Sequence, residues 1–311
     1  MRFGYSVRDQ LHHTYPEIKN LTLKAEGLGF ESIHITDHFF RAGLTKELDD
    51  KVKKQPFLES TTLLAALAAE THSIKLGHIV LCNSYRNPAY LAKVILTLDH
   101  ISNGRALLWI GAGWFRNEYD AYGYPFPNPK RRVDELEESL TIYKKIFTED
   151  ETNFEGKFWK LKNHRNFPKS IQKPYPQIVI GTNLGKRMID IACREADGIN
   201  ISYILPKDQK RFKEGISIIY KKLKEYDRDS SEFEISIYTN ITIVKNQETI
   251  ERIRKERKIF KSNLKYLFMG NIEEIKEKIN EFENLGVAKM VVFVESPEIE
   301  DPLETFKKEI M

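Results

Sequence analysis

Asp37 and His38 stand side by side in the run IHITDHFF, where residues of strand character give way to a carboxylate and an imidazole. Imidazole can give or take a proton near neutral pH, and a neighbouring carboxylate can orient the ring or a ligand. The plainer alternative is a local capping pair. The stretch GAGWFRNEYDAYG, Gly111 to Gly123, brings bare backbone close to whatever lies beside it and then supplies Trp114, Asn117 and Glu118. Its plain reading is a glycine turn into a short helix, with Trp114 packed on a rim. In IGTNLGKRMIDIA, Gly181, Thr182, Asn183 and Gly185 join a strand to a helix whose unpaired first amides suit a phosphate. An ordinary strand-to-helix turn would look the same. Lys186 and Arg187 could meet an anion or be solvated, and Arg86 could close a salt bridge. Cys82 and Cys193 have no CxxC or Cys/His spacing; they read as small buried residues in a reducing compartment, with no metal site expected.

The elements that position these residues follow from apolar periodicity. Strands are expected at Arg2–Val7, Ser32–Thr36, Ile74–Leu81, Ala106–Gly111, Gln177–Gly181, Gly198–Ser202, Glu234–Val244 and Ala288–Val294. Helical spacing fills the intervals at Pro16–Leu28, Ser60–Thr71, Pro88–Ile101, Arg131–Phe147, Gly185–Glu195, Pro206–Tyr226, Ile272–Leu285 and Pro302–Ile310. Asn87 and Pro88 suit a helix start, while Asn103-Gly104 and Gly286 suit helix ends. Strands that are apolar almost throughout are the kind buried on both faces, so the βα alternation predicts a closed parallel barrel. A doubly wound sheet is the rival, but GxGxxG and GxxxxGK[ST] are both missing after the early strands. In such a barrel the segments after the strand ends share one mouth, and they carry Asp37-His38, Cys82–Arg86, GAGWFRNE, GTNLG and SYILP. Phe40–Leu58 and Thr148–Tyr175 are long connections, a common form for lids and binding loops.

The chain has 311 residues, 41% hydrophobic and 30% charged, with a formal net charge of +4 spread along its length. That composition predicts a globular protein and gives little reason to expect a nucleic-acid partner. The charge-rich run ERIRKERKIFK reads as a solvated helix face. No apolar run has the length of a membrane span, and MRFGYSV lacks a signal core, so a cytoplasmic protein without a membrane partner is expected.

Taken together, GLGFESIHITDHF, IKLGHIVLCNSYRNPAYLAK, TLDHISNGRALLWIGAGWFRNEYDAYG, RRVDELEESL, FEGKFW, PKSIQKPYPQIVIGTNLG and CREADGIN resemble the luciferase-like family of barrel enzymes, whose members use a flavin or the deazaflavin coenzyme F420. The resemblance runs from Met1 to the final GVAKMVVFV. It implies one α/β domain over residues 1–311, a luciferase-like (β/α)8 TIM barrel with insertions at its C-terminal face. It also implies an F420-dependent oxidoreductase moving a hydride between the deazaflavin and a small organic substrate, at a CH–OH, C=C or C–N bond. In the F420 branches the strand-two DHF histidine lies near the reacting ring carbon, which puts Asp37 and His38 at the coenzyme, with His38 as proton donor, acceptor or stabiliser of ring charge. A non-prolyl cis peptide is implied at Ile79-Val80, bracing the ring. Cys82 and Asn117 would lie along the coenzyme, and Gly181, Thr182, Asn183 and Ser202 around its phosphate. Glu118 joins His38 as a catalytic candidate, and Trp114 and Phe39 are candidates for the substrate pocket. The chain departs from the sugar-phosphate branch, which has a glutamate at the position of Trp114 and a basic residue near Leu205, so a sugar-phosphate substrate is not expected. The alternatives are an FMN-dependent monooxygenase using reduced flavin and O2, and a non-catalytic flavin-binding protein. A homodimer is expected by resemblance.

Overall fold

In a computed structural model, residues 1–7, 14–40, 56–202, 209–256 and 268–311 are described. Most of the Phe40–Leu58 connection, Tyr203–Pro206 of SYILP with Leu205, and the end of the ERIRKERKIFK run lie outside them.

The predicted strands and helices are present in the predicted order. They are β1 (Arg2–Ser6), α1 (Tyr15–Gly27), β2 (Ser32–Ile35), α2 (Ser60–Glu70), β3 (Lys75–His78), β4 (Leu81–Cys82) and α3 (Pro88–Ile101). Then follow β5 (Leu108–Gly111), α4 (Arg116–Tyr122), α5 (Pro129–Thr148), β6 (Glu151–Glu155), β7 (Lys160–Arg165), β8 (Ile178–Thr182), α6 (Lys186–Glu195) and β9 (Gly198–Ser202). The chain continues with α7 (Gln209–Glu225), β10 (Glu234–Ile243), α8 (Gln247–Glu256), β11 (Phe268–Gly270), α9 (Ile272–Asn284), β12 (Lys289–Glu295) and α10 (Pro302–Glu309). Ile74–Leu81 is interrupted, and the peptide between its two parts, Ile79-Val80, is cis.

The chain divides into two compact units. One comprises residues 7–26 and 32–181. In it β2 pairs with β3, and β5 pairs with both β4 and β8, all parallel. The buried side chains of β5, Trp109 among them, belong to its core. Helix α3 starts as its sequence demands: the Asn87 side chain accepts from the amides of Ala89 and Tyr90, and Pro88 takes the first position, where no amide donor is needed. Leu91, Ala92, Ile95 and Leu96 form its buried face. The antiparallel hairpin β6–β7, in Thr148–Tyr175, is an addition that apolar periodicity does not reveal, because it buries only Thr152 of its residues.

The other unit comprises residues 1–6, 27–31 and 182–311. There β12 pairs with β1 and β10, and β10 pairs with β9 and β11, again all parallel. A capping box at Asn271 and Glu274 opens α9. No described helix is long and apolar enough to cross a membrane.

Candidate active site

At the end of β2, alternate residues turn to different surroundings. Asp37 is buried, and both its oxygens are taken by protein donors. Arg86 grips it with two guanidinium nitrogens at 2.7 and 2.8 Å, the Ser60 hydroxyl donates at 2.6 Å, and the Cys82 amide donates at 2.8 Å. Burial opposes the charge, but Arg86, with Ser60, outweighs it and holds the carboxyl below its ordinary value. The Arg86 guanidinium also reaches Glu59 at 3.1 Å. Glu59 caps α2 by accepting from the amides of Thr61 and Thr62. Burial would raise the Glu59 carboxyl, yet those amides and hydroxyls bring it down to about 2. The salt bridge expected of Arg86 is therefore present, and it ties the ends of β2 and β4 to the start of α2.

His38 has a different environment. Its side chain is 24% exposed, and Nδ1 lies 2.8 Å from Oε2 of Glu118, whose side chain is fully buried. The same Glu118 oxygen accepts from the Tyr85 hydroxyl at 2.8 Å, and the other accepts from the Phe39 amide at 2.6 Å. Glu118 thus satisfies the backbone just beyond β2, where ladder bonding has ended. The His38 ring stands edge-on to Trp114 and Phe115, each with its centroid 6.0 Å away. Trp114 is 68% exposed, and Phe115 continues to Phe40. Phe39 belongs to an aromatic stack, 4.1 Å from Tyr122 and 4.6 Å from Tyr85.

The turn after β5 is fixed by what its glycines must avoid. Gly113 has φ +77°, and a Cβ there would fall 2.1 Å from the Tyr119 hydroxyl and 2.6 Å from Cys82 Sγ. Those two atoms are 3.2 Å apart, and burial pushes the Cys82 thiol up to about 12, which removes it as a nucleophile. Val80, just past the cis peptide, fills the space that a side chain at Gly181 or Gly111 would need, with Cγ2 at 2.6 and 3.1 Å from the respective Cβ positions.

Against known proteins, the Luciferase-like monooxygenase family model matches residues 1–291. The chain belongs to this family. It is 25% identical to the F420-dependent glucose-6-phosphate dehydrogenase of Intrasporangium calvum over 95% of this chain and 93% of that protein. It is 32% identical to the FMNH(2)-dependent dimethylsulfone monooxygenase of Pseudomonas putida, over 45% of this chain and 38% of that protein. A solved F420-dependent secondary alcohol dehydrogenase, in complex with an F420-acetone adduct, matches with a TM-score of 0.82 and 17% identity, covering 99% of this chain and 98% of that one. These matches give the fold class expected from the strand-helix alternation: α/β, of the luciferase-like TIM-barrel type.

Among the expected site residues of this luciferase-like chain, the first unit brings together Asp37, His38, Ile79, Val80, Cys82, Trp114, Glu118 and Gly181. Asn117 is exposed on α4. Thr182, Asn183 and Ser202 belong to the other unit; there the Thr182 hydroxyl oxygen is buried without a hydrogen-bond partner, and the Asn183 carbonyl accepts from Arg211 at 3.1 Å. Lys186 and Arg187 open α6, whose capping residue Gly185 supplies no side-chain bond. Sequence reasoning missed Tyr85, Phe115 and Ser60. Tyr85 sits in the quoted run CNSYR beside Arg86, but its partner Glu118 is 33 residues away, and no spacing rule joins them.

Proposed function

We propose that the protein is an F420-dependent oxidoreductase that transfers a hydride between the deazaflavin and a small organic substrate. The reading is carried by the near full-length similarity to a relative whose name states that cofactor. The residues present suit a flat ring system. A Cβ at Gly181 would fall 2.6 Å from Val80 Cγ2, so the backbone there stays bare beside Val80; in the other unit the Thr182 hydroxyl oxygen is buried with no hydrogen-bond partner. In the first unit Val80, Cys82, Asn117 and Gly181 would hold the coenzyme, whose bound ring supplies hydride chemistry that no side chain can. His38 would hold or move the proton at the reacting centre, with Asp37 fixing the strand end that carries it. Trp114 occupies the position where the sugar-phosphate branch keeps a glutamate, and its broad apolar face favours a substrate other than a sugar phosphate. A soluble homodimer in the cytoplasm, acting on a small molecule, is the accompanying expectation.

The test is a titration with F420 and with FMN, followed by a screen of alcohols, aldehydes and enones for deazaflavin turnover. Binding of F420 with turnover of at least one class is expected; tight binding of reduced FMN with none of F420 overturns the reading. A second reading, an FMN-dependent monooxygenase, is favoured by the higher identity to the dimethylsulfone enzyme, although over less than half the chain. Oxygen consumption with reduced FMN would support it.

A further inference from the structure

We infer that Glu118 and Tyr85 are positioning residues that hold the His38 imidazole with its proton on Nδ1. The role in turnover rests on the function proposed above; the tautomer does not. With Glu118 as a carboxylate, Oε2 can only accept, so His38 Nδ1 and Tyr85 Oη both donate to it, each at 2.8 Å. In a neutral imidazole with Nδ1 protonated, the lone pair is on Nε2, which selects the nitrogen for proton acceptance.

Glu118 has little freedom to relax from this arrangement. Its side chain is fully buried, and Oε1 is held by the Phe39 amide at 2.6 Å. The next residue along α4, Tyr119, is tied by its hydroxyl to Cys82 Sγ. Tyr85 is fixed in turn between Phe39, Tyr119 and Tyr124, with ring centroids at 4.6, 5.1 and 5.3 Å. Burial first, with Glu118 adding to it, keeps the Tyr85 phenol well above its ordinary pKa, so it remains a donor across the working pH range. The triad therefore links the segments after β2, β4 and β5, and each supplies one member.

The tautomer is read directly by nitrogen-15 NMR of protein labelled at its 8 histidines, with His38→Gln assigning the resonance. The expected signal is Nδ1–H at His38 in the parent protein. Glu118→Gln presents an amide where the carboxylate stood, so His38 should lose the Nδ1–H form in favour of Nε2–H or a mixture. Its kcat should fall about 10- to 100-fold, the usual cost of losing the partner that orients a functional histidine, with KM changed less than kcat. Tyr85→Phe keeps the ring packing and should retain the Nδ1 tautomer while lowering kcat several-fold less than Glu118→Gln.

Nε2–H at His38 in the parent, or Nδ1–H persisting in Glu118→Gln, overturns the inference. A switched tautomer with unchanged kcat overturns the positioning role. Should Glu118→Gln fail to fold, the parent spectrum and Tyr85→Phe decide the matter. The expected tautomer in a protein that binds no F420 defeats the cofactor reading and leaves the tautomer standing.

Discussion

Asp37 and His38 are consecutive in sequence, and their surroundings are opposite in kind. Asp37 lies in a dry ionic clamp where Arg86, Ser60 and the Cys82 amide use up its oxygens. His38 stands in a partly open aromatic setting, with Nδ1 held by Glu118 and an exposed indole beside the ring. One residue fixes where the strand ends, and the other occupies the position thereby fixed. An acid and an imidazole side by side at a strand end can therefore divide their labour, with a neighbour's proximity in sequence saying little about shared chemistry.

The clamp should dominate stability. Arg86→Met leaves the Asp37 carboxylate buried without its counter-charge, and unfolding free energy should drop by about 3–5 kcal/mol, read from urea unfolding. A loss below about 1 kcal/mol would erase the contrast between the two residues. On the other side, His38→Ala should reduce deazaflavin-linked turnover by about 10²–10⁴-fold while the urea midpoint stays near that of the parent. Equal losses of stability in the two variants would show that both residues are architectural.

Gly113→Ala tests the ground between the two settings. Its φ of +77° and the approach of Tyr119 and Cys82 predict a destabilisation of about 1–3 kcal/mol, seen in the same unfolding assay. Ready tolerance of alanine would mean that the turn after β5 is free to move.

The last effect concerns pH. His78, at the end of β3 and fully buried, has its pKa pressed from 6.5 to about 4, chiefly by burial. Between those values the unfolded chain binds more protons than the folded one, so stability falls as pH drops through that window. Glu59, lowered from 4.5 to about 2, and Asp37, also lowered, contribute stability above their ordinary pKa values and lose it as pH falls further. His78→Met should remove the upper stage and leave the lower one, as urea midpoints at pH 7, 6, 5, 4 and 3 would reveal. A parent curve flat from pH 7 to 5 would contradict a neutral buried His78.

The strand-helix order was readable in the sequence because parallel strands buried on both faces leave long apolar runs, as in IVI of β8 and KMVVFV of β12. Cap chemistry at Asn87 and the left-handed Asn103, at φ 53°, were readable for equally local reasons. The hairpin β6–β7 was hidden because its strands bury almost nothing, Thr152 alone among their residues, and so leave no apolar run. The short α4 was foreseen as the plain outcome of the Gly111–Gly123 stretch. The site divides along the same line. Asp37 and His38 announced themselves as a pair, whereas the His38–Glu118 bond joins residues 80 apart and exists only once the turns after β2 and β5 meet.

The exposed Trp114 has an optical consequence. Of the chain's 3 tryptophans, Trp109 is fully buried and Trp159 is partly covered, so Trp114 alone meets water over most of its surface. Its indole rests against His38, and its emission should lie to the red of the other two. Anything docking beside the imidazole would shift or quench that red component first, giving the unlabelled protein its own reporter of occupancy.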